Sequence, residues 1–434
     1  MSSKKGKIMD QNVLALRKFL DQAHSVYHAE NYLVNCLQEE GYVCLQEKDA
    51  WQLAPGGKYY LTRGGSAVLA FRIPEKISGG FMMSASHCDR PTFKLKENGE
   101  LKGTYTRLAT EKYGGMLMAP WLDRPLSLAG RVLVETENGV ESRLLDIDRD
   151  LMLIPNVAIH MNRNANEGFA YNPTADTLPM LGSKKAEGML WKILEEEAGG
   201  KILGHDLYLY VRQGSSVWGV EEEYLSSPAL DDLQCAWGCT RGFLEAKNSE
   251  AIPVLCVFDS EEVGSNSTQG AASTLLEDTL NRICAALNLN LHQMLAQSFM
   301  VSADNAHAVH PNHPEYADPT NAPILGEGVV LKFNAAQKYT TDGISAAIFR
   351  KICSSVKVPV QSYYNRADLP GGSTLGHISL NHVSVPTADI GMAQLAMHSC
   401  YETAACSDVT YLQNAMEAFY GTCLLVENGS YSLK

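Results

Sequence analysis

The sequence predicts an α/β fold: a mainly parallel sheet carrying an inserted, mainly β domain. Three observations point there. Apolar runs of strand length alternate with amphipathic helical stretches toward both ends of the chain, the pattern of a covered parallel sheet. Between about 98 and 225 that pattern gives way to short β-type runs joined by Gly-, Asn- and Pro-rich connections. The chain has 434 residues, 45% hydrophobic and 20% charged, enough to bury a sizeable core in two or three domains. The expected division is 1–97 with 226–434 as one discontinuous domain and 98–225 as the insert.

From about 12 to 40, Leu14, Leu16, Phe19, Leu20, Ala23, Val26, Tyr27, Tyr32, Leu33, Cys36 and Leu37 recur at helical spacing. They predict one or two helices closed by Gly41. Strands are expected over 58–62 and 67–72, turning at Gly64-Gly65, and over 81–86. In the insert, 131–135, 151–154 and 206–211 have β texture, and 163–177 is aperiodic and predicted as a long loop. After Pro228 a helix is expected over 230–245, a buried strand over 252–258 (IPVLCVF) and a helical pattern over 269–295. A strand at 298–302, a helix at 344–356, strands at 358–363 and 384–390, and a closing helix at 412–427 complete the chain.

Charge and composition exclude several classes. Lys and Arg number 36 against 49 Asp and Glu, a formal net charge of -13. A protein that tracks a phosphate backbone, or a polybasic membrane surface, needs the opposite balance. The eleven cysteines are scattered without paired CxxC motifs, which suits free thiols in a reducing compartment. The N-terminal MSSKKGKIMDQNVLALRKFL is basic but lacks the apolar core of a signal peptide, and no run approaches the ~20 apolar residues of a membrane span. The expectation is a cytoplasmic protein without nucleic-acid or membrane partners.

Several apolar runs end in metal-capable side chains. FMMSAS leads to His87, IPVLCVFDS to Glu261-Glu262, SFMVSA to Asp304, and VSVPTADIG is followed within ten residues by His398. Asp231 stands where the chain returns from the insert. Open α/β sheets build sites outside the carboxyl ends of their strands, so these groups are expected to converge. Two histidines with carboxylates suit Zn²⁺, Mn²⁺ or Co²⁺ rather than a thiolate-seeking metal. Taken singly, each signal fits a structural residue as well; their combination and order give them weight.

Read in order, SASHCDRPTFKLK, SSPALDD, FDSEEVGSNSTQGA, SADNAHAVHPN and QLAMHS resemble the aspartyl aminopeptidase family of zinc peptidases. The likeness extends to YGGMLMAPWLDRPLSLAGRV, IPNVAIHMNRN and VVLKFNAAQKY, most of the chain between about 81 and 400. It implies a dimetal-peptidase catalytic domain and an inserted dimerisation domain. It also implies two divalent ions per chain, zinc foremost, with His87, Asp231 and Asp304 on one ion and Asp231, Glu262 and His398 on the other. Glu261 matches the family's base, and Asp89 the aspartate that orients the site. Lys332 and Tyr339 match positions lining the substrate pocket, and His160 a histidine reaching a neighbouring subunit's site. His307 and His310 are expected either to back the ligands from outside the coordination sphere or to support the structure.

The implied activity is removal of N-terminal Asp or Glu from short peptides, in a dodecamer built from dimers. Alternatives are the same peptidase with a neutral or broad preference, and a dimetal amidase or deacylase. Two positions depart from the family: Cys88, where a small hydroxylated residue is expected, and His377, where proline is commoner. His377 lies in the Gly-rich stretch 368–379, expected to shape the substrate mouth.

Overall fold

In the computed structural model, residues 9–247, 249–369, 371–372 and 374–434 are described. Its centre is a nine-stranded sheet. The four middle strands, Ile252–Phe258, Phe81–His87, Phe299–Ala303 and Thr387–Gly391, lie side by side and parallel. One flank adds Ala67–Arg72, Lys58–Arg63 and Val43–Cys44, and the other Val329–Phe333 and Val360–Tyr364. The four parallel strands therefore deliver their carboxyl ends to one edge, the arrangement the strand-end residues required.

The middle strands are buried on both faces, and alternate residues serve different cores. Met82, Leu255, Val257 and Val301 pack with Phe19, Leu33, Trp237, Phe243, Leu412 and Phe419. Met83, Ala85, Val254 and Cys256 pack with Leu275, Leu280, Ile283, Leu375 and Val383. On the first face, helices Leu230–Glu245 and Cys406–Tyr420 touch closely through glycine. A Cβ at Gly238 would lie 2.4 Å from Leu412 Cδ2, and one at Gly242 2.5 Å from Met416 Cβ.

A six-stranded antiparallel sheet uses segments between Thr92 and Val211. Its own core holds Phe93, Leu95, Leu108, Trp121, Leu128, Val132, Leu190, Leu194, Leu207 and Leu209. A five-stranded sheet joins Ser216–Trp218 and Tyr224–Ser227 to Glu402–Ala405, Ala393–Leu395 and Ala306–His307.

The early elements form as expected, with helices Gln11–Leu20 and Val26–Glu39 capped by Asp10 and Ser25. Three expectations change. The pattern over 269–295 divides into helices Leu275–Ala286 and Leu291–Leu295, the second capped by Asn290. The run 230–245 is interrupted at its start, because Asp231 and Asp232 take non-helical dihedrals. The closing helix spans Cys406–Tyr420, and the chain then forms a hairpin, Leu424–Glu427 with Ser430–Leu433. Asn428 and Gly429 between those strands take positive φ, 48° and 78°, the turn that an Asn-Gly pair favours.

Candidate metal centre and active site

His87 is the last residue of its strand and is buried. Its Nδ1 lies 3.2 Å from Asp89 Oδ1, and its Nε2 faces Asp231 Oδ1 at 3.9 Å. Asp304 comes directly after the strand Phe299–Ala303. Glu261 and Glu262 occupy a single 3-10 turn just beyond Phe258, entered through Ser260 at φ 64°. His398 also has positive φ, 65°, and its Nε2 lies 3.4 Å from both Asp231 Oδ2 and Glu262 Oε2.

Ligand-type atoms of His87, Asp231 and Asp304 all lie within 4.8 Å of one another, as do those of Asp231, Glu262 and His398. A third grouping joins His87, Glu261 and Glu262 at the same separation. A cavity of about 180 Å³ opens onto the centre, lined by His87, Asp231, Glu261, Asp304, Lys332, Tyr339 and His398 among others.

The donor set fits cations. Asp231 Oδ1, Asp232 Oδ1 and Glu262 Oε1 are buried without a hydrogen-bond partner. Carboxylate oxygens stranded in that way are costly unless a cation meets them. Burial pushes Asp304 up to about 6 despite Lys332 beside it. Burial also pushes Glu261 up to about 8, with Asp304, Asp89 and Asp231 adding to it against the pull of His87. Burial opposes the charge on Asp231 too, yet His398, His87 and Lys332 hold its carboxyl below the ordinary range.

Asp89 reaches further than its expected role. Besides His87, it accepts the backbone N–H groups of Glu261 and Glu262, each at 3.1 Å, and the Tyr113 hydroxyl at 2.8 Å. One carboxylate thus fixes a histidine and the turn carrying both glutamates.

Lys332 is buried, and its ammonium lies 5.2 Å from the Tyr339 ring centroid. It donates to the main-chain carbonyls of Asp304, at 2.5 Å, and Asn305, at 3.3 Å. The cation therefore helps shape the Asp304-Asn305 loop as well as lining the cavity. His160 is exposed and lines no part of the cavity in its own chain. His307 lines this cavity, and both His307 and His310 line an adjoining one. Cys88 points away from the metal groups: its Sγ lies 3.1 Å from Ser66 O and 3.3 Å from Phe258 O, and burial raises its thiol well above the usual range. In the Gly-rich stretch, Gly372 and Thr374 line the cavity and His377 Nδ1 meets Thr374 O at 2.9 Å; Pro370 and Ser373 lie outside the described residues.

Sequence reasoning missed Glu402. It is buried, and its two oxygens accept the N–H groups of Asp231, at 3.0 Å, and His398, at 2.8 Å. It also missed Asp232, whose Oδ2 takes the His87 N–H at 3.2 Å. The only sequence signal for Glu402 is an acidic residue in the uncharged run around SCYETAA.

The model of the Aminopeptidase I zinc metalloprotease family (M18) matches residues 19–420. The chain belongs to this family. It is a metal-dependent aminopeptidase, which sets aside the amidase alternative. A probable M18 family aminopeptidase 2 of Clostridium acetobutylicum is 41% identical over 418 residues, 93% of this chain and 96% of the relative. Among solved structures, the cryo-EM structure of the Ape4 and Nbr1 complex superposes with a TM-score of 0.91 at 34% identity, covering 94% of this chain and 85% of that one. The S. cerevisiae mApe1 dodecamer superposes with a TM-score of 0.84 at 25% identity, covering 94% and 96%. The mixed α/β architecture, with its largely parallel sheet and separate antiparallel sheets, is the one these M18 structures share.

Proposed function

We propose that this M18 aminopeptidase removes N-terminal residues, Asp and Glu foremost, from short peptides at a two-ion site with Glu261 as the base. The observation that carries the reading is the meeting of two metal-capable triads on one side chain, Asp231, in a cavity that Glu261 also lines. His87, Asp231 and Asp304 would hold one ion, and Asp231, Glu262 and His398 the other. The imidazole and carboxylate donors suit Zn²⁺, and Mn²⁺ or Co²⁺ with less selectivity. When bound, such ions polarise a carbonyl and acidify a water.

The remaining work falls to the chain. Glu261 takes a proton from the attacking water and hands it to the leaving amine. Asp89 holds His87 in one orientation and keeps the Glu261–Glu262 turn facing the centre.

The acidic preference rests on Lys332, a cation lining the cavity next to Tyr339. Two of its three N–H groups serve main-chain carbonyls and its ammonium lies 3.8 Å from Asp304 Oδ2, so a substrate carboxylate would share this cation with Asp304. Assembly into a dodecamer is supported by the mApe1 dodecamer, and the insert, 98–225, would pair its subunits. A closed shell restricts entry to short or unfolded peptides, as suits an enzyme of the cytoplasm. His160, exposed in the single chain, would reach the neighbouring subunit's site.

Turnover of Asp-, Glu-, Leu- and Lys-anilides with Zn²⁺, Mn²⁺ or Co²⁺ tests the preference. Faster hydrolysis of the Asp and Glu substrates is expected. Equal or faster cleavage of the Leu substrate would replace the acidic preference with a broad one.

A further inference from the structure

The segment Tyr113-Gly114-Gly115-Met116-Leu117 leaves the six-stranded sheet and crosses directly over the metal groups. Tyr113 ends the strand Tyr105–Tyr113, and its hydroxyl donates to Asp89 Oδ2 at 2.8 Å. Its ring is set edge-on to Tyr208 of the same sheet, centroids 5.6 Å apart. Gly114 has φ 74°, and a Cβ placed there would come within 3.1 Å of Glu262 Cβ. A Cβ at Gly115 would lie 3.8 Å from His398 Nδ1. The Leu117 N–H then donates to the His398 carbonyl at 3.0 Å. In five residues the strap touches Asp89, Glu262 and His398.

We propose that this strap is a positioning device for the metal centre, with the Tyr113 hydroxyl holding Asp89 and, through it, His87 and the Glu261–Glu262 turn. Tyr113 is not among the residues lining the cavity at the centre; it is a positioning residue that acts through a carboxylate. Gly114 completes the device: at φ 74° a Cβ there would crowd Glu262 Cβ at 3.1 Å, whereas one at Gly115 would make only ordinary contact with His398. The six-stranded sheet thereby orients the ligands of its own chain, independently of any contact with a neighbour. The inference rests on the metal reading above.

The test uses full-length, chelator-stripped protein titrated with Zn²⁺ by calorimetry, with kinetics after reloading. Tyr113→Phe keeps the ring against Tyr208 and removes only the hydroxyl. It is expected to weaken zinc binding and lower kcat by about 10-fold or more, the usual scale for a group that orients a ligand from outside the coordination sphere, with KM changed less than about twofold. Gly114→Ala is expected to weaken one zinc equivalent selectively, through Glu262. Unchanged zinc affinity and kcat in Tyr113→Phe, whether or not its melting temperature falls, would overturn the proposal. A wild-type count of one zinc would remove the two-ion reading alone, since the affinity of the single ion still reads the effect of Tyr113.

Discussion

The Glu402 carboxylate accepts the backbone N–H of His398 at 2.8 Å, so this histidine is anchored through its main chain while its ring stays turned toward Asp231 and Glu262. Glu402's other oxygen takes the Asp231 N–H at 3.0 Å. A single buried side chain therefore spaces the proposed bridging ligand from the proposed terminal one. Burial, with Asp231 nearby, pushes Glu402 up to about 8.

Glu402→Gln offers one oxygen where two are needed, and turns an amide N–H toward a backbone N–H. Zinc affinity should fall about 10- to 100-fold with the fold intact by circular dichroism. Calorimetric titration that returns wild-type affinity would assign Glu402 to packing only.

Glu261→Gln preserves size and removes proton acceptance. A loss of at least ~10²-fold in kcat is expected, with zinc content unchanged. Near-normal turnover would place the base elsewhere.

Asp231→Ala removes the side chain common to both triads and should lose both ions by elemental analysis. His398→Ala should weaken one. Two zinc equivalents retained in Asp231→Ala would overturn the ligand assignment.

Glu30 is buried in the helix Val26–Glu39, and burial pushes its carboxyl up to about 7. The folded state therefore holds this proton more tightly than the unfolded chain does. The associated stability is present at pH below about 4.5 and is lost as pH rises to about 7, up to about 3 kcal/mol. Glu30→Gln should raise the melting temperature at pH 8, by less at pH 5.5, and scarcely at pH 4. An equal effect at all three values would show that Glu30 does not titrate in this range.

Chains carrying His160→Ala, mixed and reassembled with Glu261→Gln chains, should regain part of the activity that each lacks alone. Some mixed pairs would then contain one site with both native residues. No recovery after verified exchange of subunits would confine the site to a single chain.

The apolar runs were legible because a buried parallel strand must be apolar throughout, and their terminal His87, Glu261, Glu262 and Asp304 stood out against them. The Asn428-Gly429 hairpin went unread, because helical periodicity over 412–427 obscured its turn chemistry. Asp89 was singled out through the resemblance and its closeness to His87, though not its hold on the Glu261–Glu262 turn.

Local pattern and contiguous motifs sufficed for the α/β class, the β-rich interruption, the strand-end ligand candidates and the likeness to zinc aminopeptidases. Contacts between segments far apart in the chain needed the folded molecule. Glu402 is 171 residues from Asp231, and Tyr113 is 24 from Asp89, with no periodicity linking either pair. Lys332 likewise became a buried cation on the carbonyls of Asp304 and Asn305 only when the two strands converged. A hydrogen bond between distant segments leaves no spacing signature, because its geometry is set by sheet order and packing rather than by the chain between its ends.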